Sequence, residues 1–163
     1  MSIRLEVIST SHVAAYCDCV LAVATDGGFL ACPSTEQLER QALNSIAEGG
    51  VHLLAMDGPR VAGWGQVMRG QGDAVAHRAD VLLGVRAQYR GQGLGSRLLG
   101  GCMNVAAARG IEYLELEVRS DNQPAMRLYH RAGFRATSTV RDAMRVDGVA
   151  YDAIRMILSL ESR

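Results

Sequence analysis

The chain has 163 residues, 48% of them apolar and 21% charged, enough apolar material to bury a core at ordinary domain length. Seventeen basic residues, all arginine, balance seventeen acidic ones, so no overall field draws the chain to nucleic acid or an anionic membrane; any anion must be held locally. The opening Met1-Ser-Ile-Arg-Leu-Glu6 lacks the pattern of a signal peptide and no apolar run approaches the roughly 18 residues of a membrane span, which leads one to expect a cytoplasmic protein.

Ile3, Leu5 and Val7 alternate with polar neighbours and predict a first strand, closed by Ser9-Thr10-Ser11, whose hydroxyls suit a helix start. Val13, Tyr16, Val20, Leu21 and Val23 then form a helical stripe. Asp26-Gly27-Gly28 breaks it, and a connection through Phe29, Leu30 and Pro33 leads to a second helix opening near Ser34 or Thr35. Gly49-Gly50 stops that helix. Two strands come next, Val51 to Met56 and Arg60 to Arg69, joined by the turn signal Asp57-Gly58-Pro59. After a break at Gly70 to Asp73, a fourth strand is expected from Val75 to Val85.

The next helix carries Leu94, Leu98, Leu99, Cys102, Met103, Val105 and Ala106 on one stripe and ends at Gly110. Ile111 to Val118 reads as a strand, Asn122 to Ala132 as a helix, and Gly133 as its left-handed cap before Phe134 and a sixth strand. Ala143 to Gly148 should turn the chain into a last strand, Val149 to Leu158. The order is β-α-α-β-β-β-α-β-α-β-β, an α/β chain of about seven strands and four helices, expected to form one domain over residues 1–163. Cys17, Cys19, Cys32 and Cys102 include only a Cys-x-Cys pair, which is neither a zinc knuckle nor a thioredoxin motif, so reduced thiols and no metal are expected.

The most informative stretch joins the fourth strand to the third helix: Arg90-Gly91-Gln92-Gly93-Leu94-Gly95-Ser96-Arg97. Glycines at 91, 93 and 95 let the backbone tighten and aim several N–H groups at one point, at the positive end of the helix, where a phosphate or pyrophosphate fits. A Walker loop would need Lys and then Ser or Thr after its last glycine, and Gly95 is followed by Ser96-Arg97. A dinucleotide fingerprint would need a third small residue three places after the second glycine, and an acid at the end of the next strand. Neither pattern is met. A plain helix-start turn is the alternative reading of the loop alone.

The pattern Arg90-x-x-Gly93-x-Gly95 resembles the coenzyme A pyrophosphate loop of the GNAT family of N-acetyltransferases. Residues beyond the loop extend the resemblance: Leu114-Glu-Leu-Glu117-Val118, Asn122, and Leu128-Tyr129-His-Arg-Ala-Gly133-Phe134 are similar to that family's next strand, helix and turn, in the same order and distance. Asp147-Gly-Val-Ala-Tyr151-Asp152 and Met156 are similar to its final hairpin. The resemblance covers residues 51 to 158 well and the first fifty weakly, and it implies a mixed sheet, the GNAT fold.

By that resemblance, acetyl coenzyme A would be the co-substrate, without metal. Its pyrophosphate would sit on backbone N–H groups from about Gln92 to Ser96, with Arg90 or Arg97 adding charge. The pantetheine would pair with edge groups of Leu83, Gly84 and Val85, the Val85 N–H polarising the thioester carbonyl. Asn122 matches the asparagine that reaches the pantetheine, and as a helix start it also suits an N-cap. Tyr129 matches the tyrosine whose hydroxyl lies near the coenzyme sulfur, the general acid. Glu117 matches the glutamate of ribosomal-protein alanine N-acetyltransferases that draws a proton from the amine through water, although Glu115 and Glu117 could equally be a solvated strand face.

Many relatives keep another glutamate on the fourth strand. By spacing its place is Ala79 here, and Asp80 is expected to point to the opposite face. Phe29 and Trp64 are candidates to line the acceptor pocket, with core packing as the other reading of each. The expected acceptor is a small-molecule amine resembling an amino acid, or a peptide N-terminus. Other readings change the acyl group to propionyl or succinyl, or keep coenzyme affinity without turnover as a regulatory module. No sequence feature fixes an oligomeric state, and a homodimer stays open.

Overall fold

A computed structural model of the chain describes residues 3–27 and 34–160. The expectations for Phe29 and Cys32 lie outside the described residues. The strands are β1 (Arg4–Val7), β2 (Val51–Asp57), β3 (Arg60–Arg69), β4 (Arg78–Val85), β5 (Tyr113–Arg119), β6 (Arg135–Val146) and β7 (Val149–Ser159). The helices are α1 (Val13–Thr25), α2 (Thr35–Ala47), α3 (Leu94–Ala108) and α4 (Gln123–Ala132). Local chemistry sets their ends. Ser34 caps α2 by accepting from the Gln37 N–H while Gln37 reaches back to the Ser34 N–H. Asn122 caps α4, and Gly133 closes it at φ 101°.

One mixed sheet runs in the order β1-β2-β3-β4-β5-β7-β6, antiparallel throughout except for the parallel pair β4 and β5. That parallel pair is short. Arg78, Ala79 and Asp80 pair with Tyr113, Leu114 and Glu115, and beyond that point β4 stays with β3 while β5 stays with β7. The sheet is therefore split over the last five residues of β4, Val81 to Val85.

Two apolar layers result from the two-residue period of the strands. Leu114, Leu116 and Val118 of β5 pack with Leu94, Leu98, Leu99 and Cys102 of α3 and Tyr129 of α4. Leu54, Met56, Val61 and Trp64 pack with Tyr16, Cys17, Cys19 and Val20 of α1 and with Leu38 and Ala42 of α2. Gly65 lets α3 lie against β3, since a Cβ there would stand 2.6 Å from the Cys102 sulfur. Cys17, Cys19 and Cys102 are buried cysteines. Among the described residues, no helix is long and apolar enough to cross a membrane.

Three features differ from the sequence expectation. The fourth strand begins at Arg78, because Asp73–Val75 closes a 3-10 turn and the Gly70 N–H then bonds the Arg78 carbonyl. The last turn narrows to Asp147-Gly148, both at positive φ (51° and 79°), so β6 continues to Val146. Trp64, expected at an acceptor pocket, is 1% exposed and meets Tyr16 edge-on at 5.8 Å beneath α1. It is a core residue, and its indole Nε1 is buried with no hydrogen-bond partner among the described residues.

His52 of β2 lies in the same layer, 2% exposed, with Nε2 2.9 Å from the Ser45 hydroxyl. Burial pushes its pKa from 6.5 down to about 4. The unfolded chain takes up a proton below pH 6.5 that the folded chain refuses until about pH 4. Stability contributed by the neutral ring is thus complete above pH 6.5 and falls as pH drops through that window, by about 3 kcal/mol if all of it is crossed. Urea unfolding at pH 7 and pH 4.5 should show the decline, and a His52→Leu variant should show less of it; equal declines would place the effect elsewhere.

Candidate active site

The split exposes one edge of β4, and strand alternation says which groups lie on it. The Arg86 N–H bonds the Ala62 carbonyl of β3, and the Arg78 carbonyl also faces β3, so even-numbered residues of this strand turn their backbone groups that way. The His77 carbonyl, facing β5, fits the same alternation. Leu83 and Val85 therefore present N–H and C=O to the split. Gly84, expected among these edge groups, turns its own toward Trp64 of β3, and a Cβ on it would stand 3.0 Å from the Trp64 Nε1 and the Val23 side chain. Its contribution is close packing beneath α1.

Beyond Val85 a 3-10 turn (Ala87–Tyr89) leads into the glycine loop. Gly91 and Gly93 sit at φ 73° and 77°, in the left-handed region, and the directions in which a Cβ would point are open space. The first backbone bond of α3 runs from the Arg97 N–H to the Gly93 carbonyl, and no side chain caps the helix. The N–H groups of Leu94, Gly95 and Ser96 consequently have no helical acceptor, at the positive end of a 15-residue helix. Gly95 serves packing: a Cβ there would meet Leu128 of α4 at 3.3 Å.

Arg90 does not face this cradle. Its Nε donates to the Val85 carbonyl at 2.9 Å, and its Nη1 lies 3.0 Å from Asp26 at the end of α1. Arg86 likewise reaches α1, at Asp18, and donates to the Val61 carbonyl. Arg97 donates to the Ile3 carbonyl. These arginines brace the loop against α1, β3 and the segment that opens β1, which leaves backbone N–H groups facing the cradle.

Tyr129 of α4 approaches on the face covered by α3. It is 7% exposed, edge-on to Phe134 at 5.7 Å, and burial, with the nearby Cys102, pushes its hydroxyl up to about 12. The hydroxyl makes no hydrogen bond with a described residue, yet it is not wholly sealed from solvent. Asn122 holds the start of the same helix, its Oδ1 accepting from the Ala125 N–H at 3.3 Å. Just before it, Arg119 grips Asp121 at 2.6 and 2.9 Å, stacks over the Tyr151 ring at 3.9 Å, and holds the Asp121 carboxyl below its ordinary range.

The opposite face of the split is a cavity of about 490 Å3, lined by Met68, Asp80, Leu82, Glu115, Glu117 and Arg155 among others. Glu117 enters it from β5, and its Oε1 accepts from the Arg155 Nε and Nη2 at 3.1 and 2.5 Å. Ala79 is 3% exposed in the core beneath α3, whereas Asp80 lines the cavity beside Glu115 and Glu117. Asp80 therefore shares the face that Glu117 uses. Alternation alone carries that signal: the apolar residues of both strands must meet α3, which leaves Asp80, Glu115 and Glu117 together on the other side. Arg155, between Ile154 and Met156 on β7, carries the same signal and is absent from the candidates that motif spacing yields.

A family model described as "Acetyltransferase (GNAT) family" matches residues 20–134, more than half of the chain. A mycothiol acetyltransferase of Clavibacter michiganensis is 42% identical over 86 residues, which cover 51% of this chain and 26% of that protein. The N-alpha-acetyltransferase RimI of Mycobacterium tuberculosis is 41% identical over 66 residues, 40% of each chain. The chain thus matches about a quarter of the length of the mycothiol enzyme. Among solved structures, an acetyltransferase of the GNAT family from Streptococcus pneumoniae superposes with a TM-score of 0.87 at 22% identity, covering 97% of this chain and 99% of that one. A phosphinothricin acetyltransferase from Sinorhizobium meliloti, in complex with AcCoA, superposes with 0.87 at 15% identity, covering 98% and 89%. At these identities the likeness is one of fold.

Proposed function

The chain belongs to the GNAT family of acetyltransferases, and from that premise we propose that it moves an acetyl group from acetyl coenzyme A to the primary amine of a small molecule or a peptide N-terminus. Both substrates are bound at once and the transfer is direct. The split between β4 and β5 carries the reading: Tyr129 packs in the layer of β5 and α3 on one face, Glu117 lines the cavity on the other, and β4 runs on through a 3-10 turn to the start of α3.

The chain's groups fit the coenzyme. Pyrophosphate suits the bare N–H groups between Gly91 and Ser96, where Gly91 and Gly93 leave room for close backbone approach. The pantetheine arm, with two amides, pairs with the open edge at Leu83 and Val85 as an added strand would. The Val85 N–H then faces the thioester carbonyl and stabilises the oxyanion that develops there. Asn122 lies at the start of α4, where its amide N–H2 remains for a pantetheine carbonyl while its oxygen caps the helix.

Transfer needs the amine unprotonated and the thiolate stabilised. Glu117 accepts the acceptor's proton, through water, at the oxygen that Arg155 leaves unengaged. The neutral amine nitrogen forms the new C–N bond, the C–S bond breaks, the proton still on that nitrogen passes to the departing sulfur to give the free thiol, and Tyr129 donates a hydrogen bond to the sulfur as its charge develops. Thiol release from acetyl coenzyme A tests the reaction against amino acids, free N-terminal peptides, polyamines and aminoglycosides. Amine-dependent release is expected with one class, and release with none would sink the transferase reading.

A further inference from the structure

The charges in the cavity do not cancel. Three carboxylates line it, and two are matched by arginines: Glu115 by Arg78 and Glu117 by Arg155. The exposed Asp80 carboxylate has neither an ion pair nor a hydrogen bond among the described residues, although it lines both this cavity and a smaller one of about 180 Å3 that shares Asp80 and Glu115 with it. The unmatched charge therefore sits where the two cavities join.

Its place relative to the reacting centre is set by register. Asp80 stands opposite Glu115, two residues before Glu117 on the neighbouring strand, a diagonal of at least about 8 Å because the strands part there. It is five residues before Val85, roughly 16 Å along the strand, too far to take part in the chemistry at the thioester. Met68 and Leu82 line the same cavity and offer an apolar floor. A carboxylate at the reacting end, an apolar bed and a second, unmatched carboxylate make a receptor for an amine with a second positive charge beyond a short apolar spacer.

Resting on the transferase reading above, we propose that Asp80 is a specificity-determining residue that seats the distal cation of a dicationic acceptor, across the apolar floor of Met68 and Leu82 from the nitrogen that is acetylated. An α,ω-diamine has this chemistry, and so has a peptide N-terminus followed by a basic side chain. A free amino acid with an uncharged side chain does not, since it carries one ammonium group with its carboxylate beside it.

Thiol release with purified protein compares 1,5-diaminopentane with 1-aminopentane, and alanyl-lysine amide with alanyl-norleucine amide. The dicationic member of at least one pair should have a kcat/KM at least tenfold higher, and the pair that shows it identifies the source as small molecule or peptide. Asp80→Asn should bring the two members of that pair to parity through KM, and Asp80→Glu should restore the difference, which a merely structural defect would not allow. Parity in both pairs for the unaltered protein, or a preference that survives Asp80→Asn, overturns the assignment to Asp80 while turnover of any amine leaves the transferase reading standing. Absence of turnover with every amine overturns both.

Discussion

A Tyr129→Phe variant should lose about 100-fold in kcat while its Kd for acetyl coenzyme A changes by less than about threefold. The ring survives the change, so its edge contact with Phe134 and its share of the α3–α4 layer stay in place. Only the hydroxyl is lost. Burial pushes that hydroxyl up to about 12, against about 8.5 for an ordinary thiol, so full proton transfer from Tyr129 to a free thiolate would be uphill by about 5 kcal/mol. The same burial raises a thiolate formed beside it, which narrows the gap as the C–S bond breaks. In the proposed transfer Tyr129 would therefore serve chiefly as a hydrogen-bond donor whose contribution grows with charge on sulfur.

The pH dependence has a definite sign. Because the native hydroxyl keeps its proton up to about pH 12, the ratio of native to variant kcat should be flat from about pH 6 to 10. Stopped thiol-release assays across that range check it. An unchanged kcat, or a ratio that collapses near neutrality, would take Tyr129 out of the reaction.

How far the sequence reaches is decided by the range of the interaction each feature depends on. Features set by neighbours in the chain are legible: the Ser34 and Asn122 caps, the Gly133 stop, and glycines 91 and 93, whose left-handed backbone shapes the turn before α3. The burial of Cys102 on the stripe of α3 is of the same kind. The seven strands and four helices come from periodicity, and the mixed sheet from family resemblance; the order of its strands comes from the structure.

Features that need a second element are not legible in this way. Trp64 has the composition of a pocket residue, but whether an aromatic strand residue meets solvent depends on α1 lying over it. Gly84 reads as an edge group until the bond from Arg86 to Ala62 fixes which residues of β4 face β3. Arg90 sits in the loop's motif, yet its guanidinium finds Val85 and Asp26, the latter at the end of α1 and far back in the chain. Asp80 is within reach of the sequence only when β4 and β5 are aligned together. Spacing along β4 alone sets Asp80 opposite Ala79, as it is, but does not say which of the two faces Glu117 shares, because nothing in one strand requires its apolar residues to meet the same helix as those of the next.

A Glu117→Gln variant should lose about 100-fold to 1000-fold in kcat with KM for the amine little changed, the pattern of a lost proton acceptor rather than a lost contact. Glutamine has the same length and keeps an oxygen for Arg155 to grip, so the β5–β7 contact at Glu117 and Arg155 persists. What disappears is the capacity to accept a proton. The loss should then scale with how much help the acceptor needs. An ordinary α-amino group, with a pKa near about 8, is partly neutral at about pH 7.5, whereas a lysine-like amine near about 10.4 is almost wholly protonated. The deficit of the variant should be greater for the second kind at that pH and should shrink for both as pH rises. Asp80→Asn should behave differently, acting on KM. If each residue has its separate task, the two substitutions combined should multiply in kcat/KM, since a base and a distal charge at least about 8 Å apart share no proton. An effect of Glu117→Gln confined to KM would make Glu117 a binding residue, and the proton would have to leave by another route.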